Sequence, residues 1–166
     1  MSDTINKIKS YIKYLETAHN LNISLCDAHE AIFFQLHKIA PYNSHRSPYC
    51  MHLKKFNKIQ KECVLKQAKV RNKCSQVKEF FGVCYGGIGE YIFCVEHDGT
   101  YLGFISVSGY CPDKDVAYSK ISEMSEKYNI DKDKLIDLFN ASIKKKMPTL
   151  EQLKPLITPL CAMVEL

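Results

Sequence analysis

The chain has 166 residues, 46% of them hydrophobic and 25% charged. That is the size and balance of one globular domain, and it excludes disordered, collagen-like and low-complexity classes. The net charge is +5 and there are eight cysteines. No segment has the apolar length of a secretion signal or a membrane span, so a cytoplasmic location with no membrane partner is expected. In that compartment cysteines serve as buried thiols, metal ligands or redox groups more often than as a disulfide framework. The charge is uneven: residues 1–75 carry 13 basic and 5 acidic side chains, and residues 76–166 carry 10 and 13. Most of the excess lies between Lys54 and Lys73, where only Glu62 opposes it. This stripe reads as a solvated helix face. A nucleic-acid-binding module is the lesser alternative, since no aromatic residues interleave with the lysines.

In chain order, residues 2–19 form an amphipathic helix with Ile5, Ile8, Ile12 and Leu15 on one stripe. It packs on its own domain or pairs with a second copy, and a homodimer through this helix is expected. Alternation from Asn22 to Asp27 predicts a strand, and the apolar run Ala31 to Leu36 predicts a second. Pro41 to Pro48 is a loop. A short helix follows near Tyr49–Lys55, then a longer one near Asn57–Lys73 whose inner face carries Phe56, Ile59, Cys63 and Val70. Phe80 to Tyr85, Tyr91 to Glu96 and Tyr101 to Val107 read as strands, with Asp98-Gly99 as a hairpin turn. All seven glycines fall between Gly82 and Gly109, which predicts tight turns or close approach to something bound. Helices are predicted from Pro112 to Tyr128, from Asp131 to Lys146 and over Leu150–Val164, the last bent or shortened by Pro155 and Pro159. Strands on both sides of a helical insertion predict the α+β class: an antiparallel sheet with covering helices, laid out like a PAS domain.

The pieces Ser47-Pro48-Tyr49-Cys50, Glu62-Cys63, Val83-Cys84-Tyr85-Gly86-Gly87-Ile88-Gly89-Glu90, Gly103 and Gly109 together resemble the PocR sensory domain. The resemblance covers about residues 20–111. One departure is Tyr85, where the family often has a histidine, so no role for that histidine carries over. What the resemblance implies is a PAS-like domain of bacterial signalling and transcription-regulatory proteins that binds a small organic ligand such as a diol or alcohol. Relatives sit beside DNA-binding or kinase output domains, and no helix-turn-helix pair follows residue 111 here. The expected division is a helix over 1–20, the sensor over 21–128 and a helical extension over 129–166.

The expected ligand-binding residues are Tyr49, Cys50, Cys63, Cys84, Tyr85, Gly87, Glu90 and Cys111. Tyr49 and Tyr85 adjoin motif cysteines, and Glu90 offers a carboxylate to a ligand hydroxyl. Cys111, before a helix, faces the pocket. Three readings of Cys50, Cys63 and Cys84 stay open: small buried side chains, a thiol switch, or a metal site for zinc or iron. The metal site would be completed by water, a substrate atom, His45 or His52. No Cys-x-x-Cys pair supports the metal reading, and no cofactor is required by the others. The remaining cysteines are assigned to the core. No nucleophile, paired-carboxylate or phosphate-loop signature points to an enzyme.

Overall fold

Strand residues in this chain alternate between two dissimilar faces, and that difference organises the molecule. The computed structural model describes residues 2–26 and 36–165. Its helices are α1 (Ser2–His19), α2 (Leu36–Ile39), α3 (Pro48–Leu53), α4 (Asn57–Cys74), α5 (Lys114–Tyr128), α6 (Lys132–Ser142) and α7 (Leu150–Glu165). Its strands are β1 (Asn22–Cys26), β2 (Glu79–Val83), β3 (Gly89–His97) and β4 (Thr100–Tyr110). The strands pair antiparallel in the order β1-β4-β3-β2, the α+β arrangement the sequence predicts. Of the strand expected over residues 31–36, residues 31–35 lie outside the described residues, and Leu36 begins α2. β3 and β4 join at Asp98-Gly99, where both residues have positive φ (48° and 75°), as a tight hairpin of this twist requires.

One face of the sheet is dry. Ile23 and Leu25, Tyr91, Phe93 and Val95, and Ile105 and Val107 share it, and α1 and α7 cover it. α1 buries Ile8, Ile12 and Leu15 there, so its apolar stripe packs on its own domain. α7 contributes Leu153, Ile157, Leu160 and Val164, and Tyr11 of α1 donates its hydroxyl to the Leu156 carbonyl at 2.8 Å. α7 spans the expected residues to within one, so Pro155 and Pro159 do not shorten it. Both lie on its exposed side, where water can reach the carbonyls left without a donor.

The other face alternates with the first and is mixed. It carries Ser24 and Cys26, Glu90 and Ile92 and Cys94, and Phe104, Ser106 and Ser108. α4 crosses it, with Val70 and Cys74 packed on Ile92 and Phe104. Here the expectation of free core thiols fails for two residues, because Cys74 and Cys94 form a disulfide, 20 residues apart. Cys94 shares its parity with Ile92, so it points to α4 and not to the dry face. A further apolar cluster joins α3, α4, α5 and α6 through Tyr49, Leu53, Ile59, Ile121, Leu135 and Phe139. α6 ends at Ser142, short of Lys146. Ile143 is extended there, and the Lys144 N–H donates to the Gly109 carbonyl at 2.7 Å, tying the chain to the end of β4.

Gly89 leaves no room for a side chain. A Cβ there would stand 2.6 Å from Phe81 Cζ and 2.9 Å from the Tyr110 carbonyl oxygen, whereas one at Gly82 would meet only Phe80 Cε2 at 3.8 Å. Gly89→Ala is therefore expected to destabilise the fold by about 1–3 kcal/mol and Gly82→Ala by less than about 1 kcal/mol, read by urea denaturation.

Candidate functional site

Ser47, Pro48, Tyr49 and Cys50 each have a separate job. Ser47 caps α3, its hydroxyl accepting from the Cys50 N–H at 3.2 Å, and Pro48 occupies the first turn, where no N–H is needed. Tyr49 is fully buried, donates its hydroxyl to the Gly86 carbonyl at 2.8 Å, and stacks edge-on against Phe139. These contacts pin α3 to the turn between β2 and β3. That turn is closed by the Cys84 N–H on the Ile88 carbonyl at 2.8 Å. Cys50, half-buried, is left facing inward.

It faces a cavity of about 340 Å³ between α3, α4 and the mixed face of the sheet. α3 supplies Tyr49, Cys50 and Leu53, and α4 supplies Gln60, Cys63, Val64, Lys66, Gln67 and Val70. The turn supplies Cys84, Tyr85 and Gly86, the strands Cys26, Glu90 and Phe104, and the loop before α3 His45. Six expected residues are thus brought together: Tyr49, Cys50, Cys63, Cys84, Tyr85 and Glu90. Two are not. Gly87 turns with positive φ against Ala117, and its neighbour Gly86 lines the cavity instead. Cys111 sits in the helical cluster of α3, α5 and α6.

The floor of the cavity is charged. Glu90 is only 6% exposed. Ser106 donates its hydroxyl to Glu90 Oε2, and His45 Nε2 lies 3.3 Å from the same oxygen and 3.1 Å from Ser106 Oγ. The Lys54 ammonium donates to the His45 carbonyl at 2.7 Å and fixes the loop. Burial alone would raise Glu90, but the His45 hydrogen bond and charge, with Ser106, hold its carboxyl below the usual range. Burial alone would lower His45, yet its hydrogen bonds with Cys50 and Glu90 and the Glu90 charge carry it well above its ordinary value.

The three motif cysteines differ. Burial pushes the Cys63 and Cys84 thiols up, Cys84 further because Glu90 adds to it. Cys50 moves the other way. Its burial is outweighed by the His45 hydrogen bond and charge, by the Ser47 hydroxyl and by Lys54. Among the described residues no group of three or more His, Cys, Asp or Glu could hold a metal ion, although the three cysteines share one cavity. His52, the other histidine weighed as a ligand, lies beside Phe56 on α3.

Sequence reasoning did not single out Ser106, Gln60 or Gln67, and it weighed His45 only as a metal ligand. Ser106 and Ser108 alternate with Ile105 and Val107, a pattern that reads equally well as a solvated sheet face. The available signal was the matching alternation of Ser24 on β1 and Glu90 on β3, which stacks polar groups across three strands.

A half-enclosed cavity with apolar walls and a few converging polar groups defines a ligand-binding domain. The family model for the sensory domain found in PocR matches residues 4–164, a span that includes nearly all of α1 and of α7. The chain belongs to that family of sensory domains. No curated protein and no solved structure matches it. Among the described residues, no helix is long and apolar enough to cross a membrane.

The Glu90–His45 pair fixes a pH dependence. The Glu90 contribution is complete above the ordinary carboxylate value and is lost as pH falls through its depressed one. The His45 contribution is complete below the ordinary imidazole value and is lost as pH rises through its raised one. Their joint stabilisation is therefore greatest between about pH 4.3 and 6.5. Glu90→Gln is expected to cost about 3 kcal/mol in that window, with the deficit narrowing at alkaline pH, measured by urea denaturation across pH. A deficit that did not vary with pH would remove the ionic pairing.

Proposed function

We propose that this domain senses a small hydroxylated organic molecule, such as a diol or an alcohol, held in the cavity above Glu90. The observation that carries the reading is a buried carboxylate, paired with His45 and held from behind by the Ser106 hydroxyl, at the floor of an otherwise largely apolar cavity. A ligand hydroxyl can donate to the Glu90 carboxylate and accept from the protonated His45 imidazole. The carbon skeleton then lies against Tyr49, Leu53, Val70 and Phe104. About 340 Å³ is at the small end of ligand pockets, which favours a short chain.

The route outward starts from the same loop. His45 faces the cavity, and the next residue, Arg46, pairs with Glu16 of α1. Arg46 also reaches the Ile23 carbonyl at 3.5 Å. A ligand that prefers one placement of His45 biases this α1 contact, which meets the requirement that binding discriminate between two arrangements. The signal passes to a homodimer partner or to a DNA-binding or kinase output domain, in a bacterial, cytoplasmic setting. The role is non-enzymatic and needs no cofactor. In a reducing cytoplasm the Cys74–Cys94 pair is expected as thiols until oxidised.

Propane-1,2-diol is expected to raise the melting temperature of the wild-type protein in a saturable manner. The stabilisation approaches about 2.7 kcal/mol at a hundredfold excess over the dissociation constant. Glu90→Gln should show a smaller shift relative to its own baseline. If no short diol or alcohol shifts the wild-type protein, the hydroxyl-sensing reading fails. Sedimentation velocity across protein concentration tests the dimer, and a monomer throughout would remove it.

A further inference from the structure

The cavity holds more polar machinery than a hydroxyl needs. Cys50, His45 and Glu90 line one cavity: His45 Nε2 lies 3.3 Å from Glu90 Oε2, and its influence on the neighbouring Cys50 thiol favours the thiolate. Among the described residues, Cys63 and Cys84 share the cavity, and burial keeps both towards the thiol. Cys50 and His45 also border a second, polar cavity of about 410 Å³, on the side where Arg46 and Glu16 lie. Cys50 thus borders both cavities. A thiolate beside an imidazolium, backed by a carboxylate, is the arrangement that activates a cysteine nucleophile.

We propose that Cys50 captures a short-chain aldehyde reversibly and covalently, as a hemithioacetal, inside the ligand cavity. This rests on the small-molecule reading above and names a ligand class for it. Cys50 Sγ attacks the carbonyl carbon, a C–S bond forms, and the C=O π pair moves to oxygen. The imidazolium of His45 gives its proton to that oxygen, leaving neutral imidazole. The net change is thiol plus aldehyde to hemithioacetal. Nothing is oxidised or reduced, no group leaves, and the reverse path releases the aldehyde. The product carries a hydroxyl where a bound alcohol would place one, within reach of the Glu90 floor. Addition also removes the thiolate–imidazolium charge pair, so His45 changes charge state beside Arg46. Lys54 adds positive charge near Cys50, Lys66 lines the same cavity, and burial keeps Cys26 and Cys84 as thiols. Cys50 is therefore the nucleophile of this cavity.

The test uses propanal labelled with ¹³C at the carbonyl and the intact chain under reducing conditions. A new ¹³C resonance in the oxygen–sulfur acetal region is expected with the wild-type protein. It should survive in Cys63→Ser and Cys84→Ser and vanish in Cys50→Ser. A second measurement needs no variant. Alkylation by iodoacetamide, mapped by peptide mass, should be fastest at Cys50 and slowed about tenfold by propanal at ten times its dissociation constant. No acetal resonance in the wild type, its persistence in Cys50→Ser, or unprotected alkylation at Cys50 overturns covalent capture. The melting shift of the wild type with propane-1,2-diol separates the two readings. If it persists while the acetal signal is missing, only covalent capture falls. If it too is absent, the hydroxyl-sensing reading falls with it.

Discussion

A carboxylate buried on a sheet face is costly unless its charge is met, and Glu90 imposes that constraint on everything around it. It occupies a position that alternation assigns to the interior, opposite Ser108 in register and diagonal to Ser106. Meeting its charge requires serines on β4 where apolar residues would otherwise pack. It also requires a loop that delivers His45 from outside the sheet. Lys54 holds that loop by its backbone, and the position of His45 in turn determines which of the neighbouring cysteines leans towards thiolate. Replacing such a pair with apolar side chains is often neutral or stabilising. Its presence here therefore accords with the ligand-binding role proposed for it.

The sheet separates two kinds of packing. The side under α1 and α7 is dry, and its side chains interlock as an ordinary core. Among the described residues, the side under α4 is only partly filled, with apolar contacts near Val70 and Phe104 and open volume towards α3. This division gives one chain a packed scaffold and a pocket without separate domains. Arg46 and Glu16 bridge the two sides at the sheet's edge, so the loop carrying His45 touches both.

Much of this was legible in the sequence. Period-two alternation and Asp98-Gly99 located β3 and β4, and helical spacing of apolar residues located α1 and α4. The resemblance carried by Ser47 to Cys50, Cys63 and Cys84 collected residues that do share one cavity. Other features were hidden for physical reasons. Ser106 looks like a solvent-facing strand residue, because alternation reports that faces differ and not which one is covered. His45 lies in a loop with no periodicity, and its role depends on a contact 45 residues away. The Cys74–Cys94 pairing depends on how α4 crosses the sheet, which spacing along the chain does not encode. Gly87 and Cys111 adjoin the right segments but point into packing, since a turn places neighbouring residues on opposite sides.

The bond between Cys74 and Cys94 closes a ring that contains β2, the turn at Cys84–Ile88 and the first half of β3. Cys84, Tyr85, Gly86 and Glu90 all lie within it. Closing a loop of this length removes about 3 kcal/mol of conformational freedom from the unfolded chain. Oxidation therefore limits the disorder available to one wall of the cavity and to its charged floor. Reduction restores that freedom without altering a single side chain that faces the ligand. The entropy of this ring is a variable that the redox state of two remote sulfurs can set.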